Sequence, residues 1–284
     1  MVTKMQEIMD KIICGDSAEI LKKLPSESFH LAITSPPYGK YKKYSNLNGD
    51  LGNLDIMQQV PVYLKIFKEI HRLLQPGRRF CLFFCDIYQR DKFGVFLVNP
   101  AAIFIPPLTE LGFRLKNVFI WRKPGSFSNL RKGRGLPPNP VIQSYFEYIF
   151  VFQKAGRCNL EYITPEIRQK SGIPMKQVCR QSGIFDFRND PQLKKVHPAI
   201  FPLQLVENLI MLYSFVKDLV LDPFCGIGTT CCAAKALERN YLGIDINPYY
   251  CEIARKRSEN VTPLVEGINL WIDSKRGRFQ GTLI

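Results

Sequence analysis

Between Lys11 and Asn260, short apolar runs alternate with stretches whose apolar residues recur every three or four positions. That alternation predicts strands and helices in turn. KIICGD (Lys11–Asp16) reads as a short buried strand, and SAEILKKLP after it as a short helix with Asp16 placed as its N-cap. HLAITS (His30–Ser35) is the next strand, and KYKKYSNLNGDLGN is a polar, basic loop. Helical periodicity from Asp55 to Leu74 stops at Gln75-Pro76-Gly77, ahead of the strand RRFCLFFCD (Arg78–Asp86). The stretch from about Phe93 to Gly112 reads as a helix with an irregular, proline-containing middle. RLKNVFIWRK and QSYFEYIFVFQK are aromatic and β-branched strands on either side of a Gly/Pro/Arg-rich loop.

From Ala155 to Val196 the pattern weakens, and a connection of that length implies an insert with a role of its own. Regularity returns with an amphipathic helix at FPLQLVENLIMLYSFV. A strand (DLVLDP), a helix (GTTCCAAKALERN), a strand (YLGIDI) and a last helix (NPYYCEIARKRSEN) follow. Strands and helices in alternation predict an α/β fold built on a doubly wound, mostly parallel sheet.

Composition adds a partner class. The 284 residues are 46% hydrophobic, enough for a sizeable core, but 39 basic residues face 25 acidic ones, a formal net charge of +14. Such an excess favours a polyanion, nucleic acid before membrane. Nine cysteines include no C-x-x-C pair and only three histidines accompany them, so metal-ligand spacing is absent. No signal-peptide core or membrane-length apolar run occurs, which gives the expectation of a soluble, cytoplasmic protein with reduced thiols.

The segment LVLDPFCGIGTTCCAAKALERNYLGIDI carries chemistry. An apolar strand enters a tight turn with Gly226 and Gly228, a helix opens, and the next strand ends at Asp245. Glycines let backbone approach a ligand, a helix N-terminus favours an anionic group, and an acid ending the second strand can accept both hydroxyls of a ribose. The third glycine of the dinucleotide fingerprint is missing, which weakens a nicotinamide oxidoreductase. It suits a cofactor offering a carboxylate, such as the methionine end of S-adenosylmethionine.

A second segment, TSPPYGK (Thr34–Lys40), leaves its strand through two prolines that lack N–H donors. DPFCGIGTT resembles the cofactor motif of S-adenosylmethionine-dependent methyltransferases, and SPPY resembles the catalytic motif of the amino-methyltransferases, which methylate exocyclic amines of nucleobases. EIHRLLQPG, FEYIFVFQK and HPAIFP are similar to further family segments, in order. The catalytic motif precedes the cofactor motif, as in the circularly permuted β group, and the implied fold is the Rossmann-like methyltransferase fold.

The resemblance implies Ser35, Pro36, Pro37 and Tyr38 as catalytic residues. An exocyclic amine is a poor nucleophile until acceptors hold its N–H groups. The Ser35 side chain and the Pro36 carbonyl can do so, aimed by prolines with fixed φ, while Tyr38 stacks on a base that has left its helix. It implies cofactor contacts from Asp16, Phe201, Pro202, Asp222, Pro223, Phe224, Cys225, Gly226, Gly228, Thr229, Thr230, Asp245 and Ile246. Ser at the first motif position goes with N4-cytosine activity in the family.

Residues 1–154 would then be the catalytic half of one domain, 155–196 a small target-recognition insert, 197–260 the cofactor-binding half and 261–284 a C-terminal tail. Basic residues in the expected loops, Lys42, Lys43, Arg131, Lys132, Arg134, Lys194 and Lys195, are candidate phosphate contacts. The expected activity is N4-cytosine methylation in DNA, with a cognate restriction endonuclease as possible partner. An RNA (ribosomal RNA) N4-cytidine enzyme, a DNA N6-adenine enzyme and a non-catalytic nucleic-acid-binding module are the alternatives.

Overall fold

The computed structural model describes residues 6–39, 47, 49–123, 144–173 and 183–261. Lys42, Lys43, Arg131, Lys132 and Arg134 lie outside them. The strands are β1 (Lys11–Cys14), β2 (Phe29–Thr34), β3 (Leu74–Phe84), β4 (Ile87–Asp91), β5 (Gly94–Val98), β6 (Phe113–Arg122), β7 (Phe146–Lys154), β8 (Ile184–Phe185), β9 (Leu219–Asp222) and β10 (Asn240–Asp245). The helices are α1 (Ser17–Lys22), α2 (Ile56–Leu73), α3 (Pro100–Glu110), α4 (Pro165–Ser171), α5 (Leu193–Val196), α6 (Leu203–Tyr213), α7 (Thr229–Ala236) and α8 (Pro248–Glu259).

Among the described residues, eight strands form one sheet in the order β1-β10-β9-β2-β3-β7-β6-β8, with every neighbouring pair parallel except the two made by β7. This is the doubly wound, mostly parallel sheet that the alternation predicts. Side-chain alternation divides the core in two. Phe80, Leu82 and Phe84 of β3 join Tyr63, Phe67 and Phe104 from α2 and α3 on one face. Cys81 and Phe83 join Leu205, Leu209 and Ala254 from α6 and α8 on the other. Both faces are covered by helices, so the central strands are apolar throughout.

Two elements differ from expectation. Phe93 to Val98, expected at the start of a helix, are not helical. They belong to the β4–β5 hairpin, and the helix starts only at Pro100, where Asn99 Oδ1 caps the Ala101 and Ala102 N–H groups at 3.0 and 3.3 Å. The hairpin turns because the Phe93 N–H donates to Asp91 Oδ1 at 2.8 Å and Gly94 takes φ +128°, open to glycine. Gln75-Pro76-Gly77 also does more than stop α2, because these residues already belong to β3.

The 155–196 stretch divides between the two ends of the sheet. Tyr162 donates to Asp218 Oδ1 at 2.6 Å, just before β9 begins, and its hydroxyl also meets Arg78, whose Nη1 reaches Asp218 Oδ2 at 3.0 Å. Ser171 Oγ accepts from the Val216 N–H at 2.8 Å. Residues 155–171 are therefore bound to the end of the sheet where β9 starts. Ile184 and Phe185 pair with Ile120 and Trp121 near the opposite end of β6. The part of this stretch near the strand exits is 183–196.

Candidate active site

β2 and β9 are adjacent parallel strands, with Leu31 opposite Val220 and Ala32 opposite Leu221. Their chains leave in different directions beyond this pair, and such a switch point opens a crevice at the carboxyl ends of the strands. A cavity open to solvent lies there. Ser35 and Pro37 reach it from β2, Asp16 follows β1, Phe224 to Gly226 follow β9, and Asp245 and Ile246 end β10. Thr229 at the start of α7 and Phe201 before α6 complete the predicted residues in its wall.

The proline corner is held by side chains, since its prolines cannot pair through N–H groups. The Gly39 N–H donates to Gln59 Oε1 at 3.0 Å, and the Tyr63 hydroxyl sits between the Pro37 carbonyl and Gln59 Oε1. Gly39 has φ +63°, and a Cβ there would meet the Ile56 backbone nitrogen at 3.2 Å. Helix α2 thus grips the corner on both sides of Tyr38.

Tyr38 departs from expectation. Its ring is 1% exposed and packs 4.6 Å from Phe84, so no face is presented for stacking on a base. The hydroxyl explains the inward turn. It donates to Glu147 Oε2 at 3.1 Å and lies 2.7 Å from Ser35 Oγ, satisfying a buried polar group that stacking would move. Pro36 is buried as well.

The glycine turn divides its labour. Gly226 lines the cavity, and its N–H donates to Asp245 Oδ2 at 2.9 Å. Gly228 does not line it. A Cβ at Gly228 would lie 2.8 Å from Ala254 Cβ, so this glycine permits α7 and α8 to pack. Thr230 and Asp222 also stand behind the wall. Asp222 accepts from Thr34 Oγ1 at 2.9 Å, Thr230 Oγ1 at 2.6 Å and the Phe224 N–H at 3.1 Å, and bolts the end of β2 to the turn after β9. The Pro223 carbonyl accepts from the Ser17 hydroxyl, and Pro202 opens α6. These five residues shape the cavity from outside rather than lining it.

Burial raises the carboxyl pKa of both Asp222 and Asp245 to about 6, against hydrogen bonds that pull each down. Asp245 Oδ1 accepts from the Asn247 N–H at 2.9 Å. Asp16 caps α1 through the Ala18 N–H at 2.7 Å and also borders the cavity.

Several wall residues escape sequence reasoning, Asp50, His197 and Tyr250 among them. Asp50, buried, caps a 3-10 turn by accepting from the Gly52 N–H at 2.8 Å, and its Asp-x-Gly spacing inside a polar loop is the available signal. His197 packs edge-on against Tyr250 at 4.6 Å beside Gly226. Lys194 and Lys195 are exposed on α5, immediately before His197.

A mostly parallel sheet with a nucleoside-type glycine turn and acid, opening on the same crevice as a rigid acceptor corner, is the architecture of a methyltransferase. The family follows directly: the DNA methylase family model matches residues 29–256, and the chain belongs to that family. Type II methyltransferase M.MjaI of Methanocaldococcus jannaschii is 30% identical over 270 residues, covering 84% of this chain and 87% of the relative. M.SmaI of Serratia marcescens is 27% identical over 274 residues, covering 87% and 90%. A putative DNA modification methylase of Thermus thermophilus, solved in complex with S-adenosyl-L-methionine, superposes with a TM-score of 0.69 at 29% identity over 88% of this chain and 94% of its own. The cytosine-N4-specific PvuII DNA methyltransferase, at 24% identity and a TM-score of 0.65, shares the fold.

Proposed function

We propose that this chain is a β-group DNA methyltransferase that methylates the exocyclic N4 of a flipped-out cytosine, as the modification half of a restriction-modification pair. The observation that carries this reading is that Ser35 lines the same cavity as Gly226, Thr229 and Asp245. Acceptor corner and cofactor turn therefore face one reaction space.

The donor set fits the cofactor. Each Asp245 oxygen takes one backbone N–H, and a carboxylate has about four lone-pair sites, so ribose hydroxyls can be accepted as well. Phe201, stacked on Phe83 at 5.0 Å, supplies an apolar wall with Ile246 and Phe224. The bound cofactor supplies a methyl group on a sulfonium.

The residues of the corner do the rest. Ser35 Oγ, in the cavity wall, accepts an N–H group of the amine and helps turn its lone pair toward the methyl group. Pro36, buried behind it, and Pro37 keep that acceptor aimed without an entropy cost at the moment of reaction. Lys194 and Lys195 contact phosphate beside the mouth. Ser35 in the motif supports cytosine, and the Type II methyltransferases similar to this chain support DNA.

The test supplies labelled S-adenosylmethionine with DNA and, separately, structured RNA, followed by digestion to nucleosides. N4-methylcytosine in DNA is the expected product. Label on adenine would overturn the use made of Ser35, and label confined to RNA would overturn the DNA reading.

A further inference from the structure

Behind Ser35 lies a polar chain that the methyl transfer as described does not use. The Tyr38 hydroxyl lies 2.7 Å from Ser35 Oγ and 3.1 Å from Glu147 Oε2. Glu147 is only 4% exposed, and its other oxygen accepts from Lys123 Nζ, which sits 4.8 Å over the Trp121 ring. Trp121 is fixed in turn by its indole N–H, which donates to the Phe187 carbonyl at 2.9 Å.

A phenol has one proton, and a carboxylate held by an ammonium group accepts hydrogen bonds only. The Tyr38 proton is therefore directed to Glu147, and between Tyr38 and Ser35 the serine must be the donor. With its own proton turned inward, Ser35 Oγ presents only lone pairs to the cavity it lines. That polarity is the one an amine substrate requires, because an amine brings N–H donors. A serine free to rotate would spend part of its time pointing a donor at a donor.

We propose that Glu147 is a positioning residue which, through the Tyr38 hydroxyl, locks Ser35 as a hydrogen-bond acceptor for the target amine. The inference rests on the methyl-transfer reading above and gives the tyrosine hydroxyl a task separate from its buried ring. Lys123 belongs to the same device, since its ammonium group pairs with the buried Glu147 side chain and fixes where that side chain points.

The test uses Glu147→Gln, which preserves shape and can donate to Tyr38, together with Tyr38→Phe and the double variant. Single-turnover transfer from labelled S-adenosylmethionine to unmodified bacterial genomic DNA should fall about 10–100-fold in each single variant, as for loss of a charge-assisted hydrogen bond. Cofactor affinity by calorimetry should stay within about twofold, since no member of the chain beyond Ser35 lines the cavity. The double variant should be no slower than the slower single one, because Glu147 acts only through the hydroxyl. A wild-type rate in Glu147→Gln, or losses that multiply in the double variant, would overturn the proposal.

One readout needs neither DNA nor cofactor. In protein labelled at the tyrosine ζ-carbon, with the Tyr38 signal assigned by its loss in Tyr38→Phe, that signal should move in Glu147→Gln. An unmoved signal would overturn the hydrogen-bond polarity. Wild-type protein that binds the cofactor but methylates no exocyclic amine would instead sink the methyl-transfer reading, with the carbon signal still deciding the hydrogen bond.

Discussion

Replacing Gly228 by alanine separates the two glycines of the cofactor turn. At φ +80° an alanine pays the left-handed penalty, roughly 1–2 kcal/mol. Its Cβ would also sit 2.8 Å from Ala254 Cβ and 3.1 Å from Ala254 Cα, atoms of a packed helix that cannot swing aside. Overpacking of that kind costs roughly 1–3 kcal/mol, for a total of roughly 2–5 kcal/mol. With a urea dependence near ~3 kcal/mol per molar, the unfolding midpoint should drop by roughly 0.7–1.7 M at unchanged slope. Equilibrium urea unfolding followed by circular dichroism reads this directly. Cofactor affinity of the folded fraction should change less than threefold, about 0.7 kcal/mol. Gly226→Ala should reverse the emphasis, because its Cβ would enter the cavity wall beside His197 Nε2 at 3.1 Å. A Gly228→Ala protein with the wild-type midpoint and tenfold weaker cofactor binding would refute this division.

Two further outcomes are expected. The Asp245 carboxyl titrates at about 6, and only its ionised form accepts hydroxyls at both oxygens, so cofactor affinity is present above pH 6 and is lost as pH falls through it. Calorimetry at pH 7.5 and pH 5 should give a dissociation constant about tenfold higher at the lower pH, and Asp245→Asn should flatten the dependence; a flat wild-type profile would refute the ribose role. Asp218→Asn leaves the buried Arg78 without its carboxylate and should destabilise the protein by roughly 3–5 kcal/mol in chemical unfolding, with an unchanged midpoint counting against the anchoring of residues 155–171.

The sheet and the cofactor turn are legible because they depend on local pattern: apolar strands, a Gly-rich exit and an acid ending the next strand. What stays hidden depends on what lies opposite in space. Gly226 and Gly228 read alike, and only Ala254 on α8 separates the wall glycine from the packing glycine. Tyr38 turns inward because Phe84 and Glu147, far along the chain, take its ring and hydroxyl. The 87–98 hairpin escapes the pattern because its apolar run has a helix-compatible length, and because Phe93 and Phe96 are exposed where alternation should bury one face. The Asp91-Lys92-Phe93-Gly94 turn is the usable signal. Asp50 hides in a polar loop, where capping aspartates are common.

Asp222 joins two segments that the chain visits at very different times. Thr34 reaches it from the catalytic strand, Thr230 and the Phe224 N–H from the cofactor turn, and the strands themselves meet as neighbours in the sheet. The register between acceptor corner and cofactor is thus fixed by lateral contacts and does not depend on the polypeptide running from one to the other. A fold assembled in this way leaves the order of its halves free. Nature can cut and rejoin such a chain elsewhere, and the reaction space keeps its dimensions.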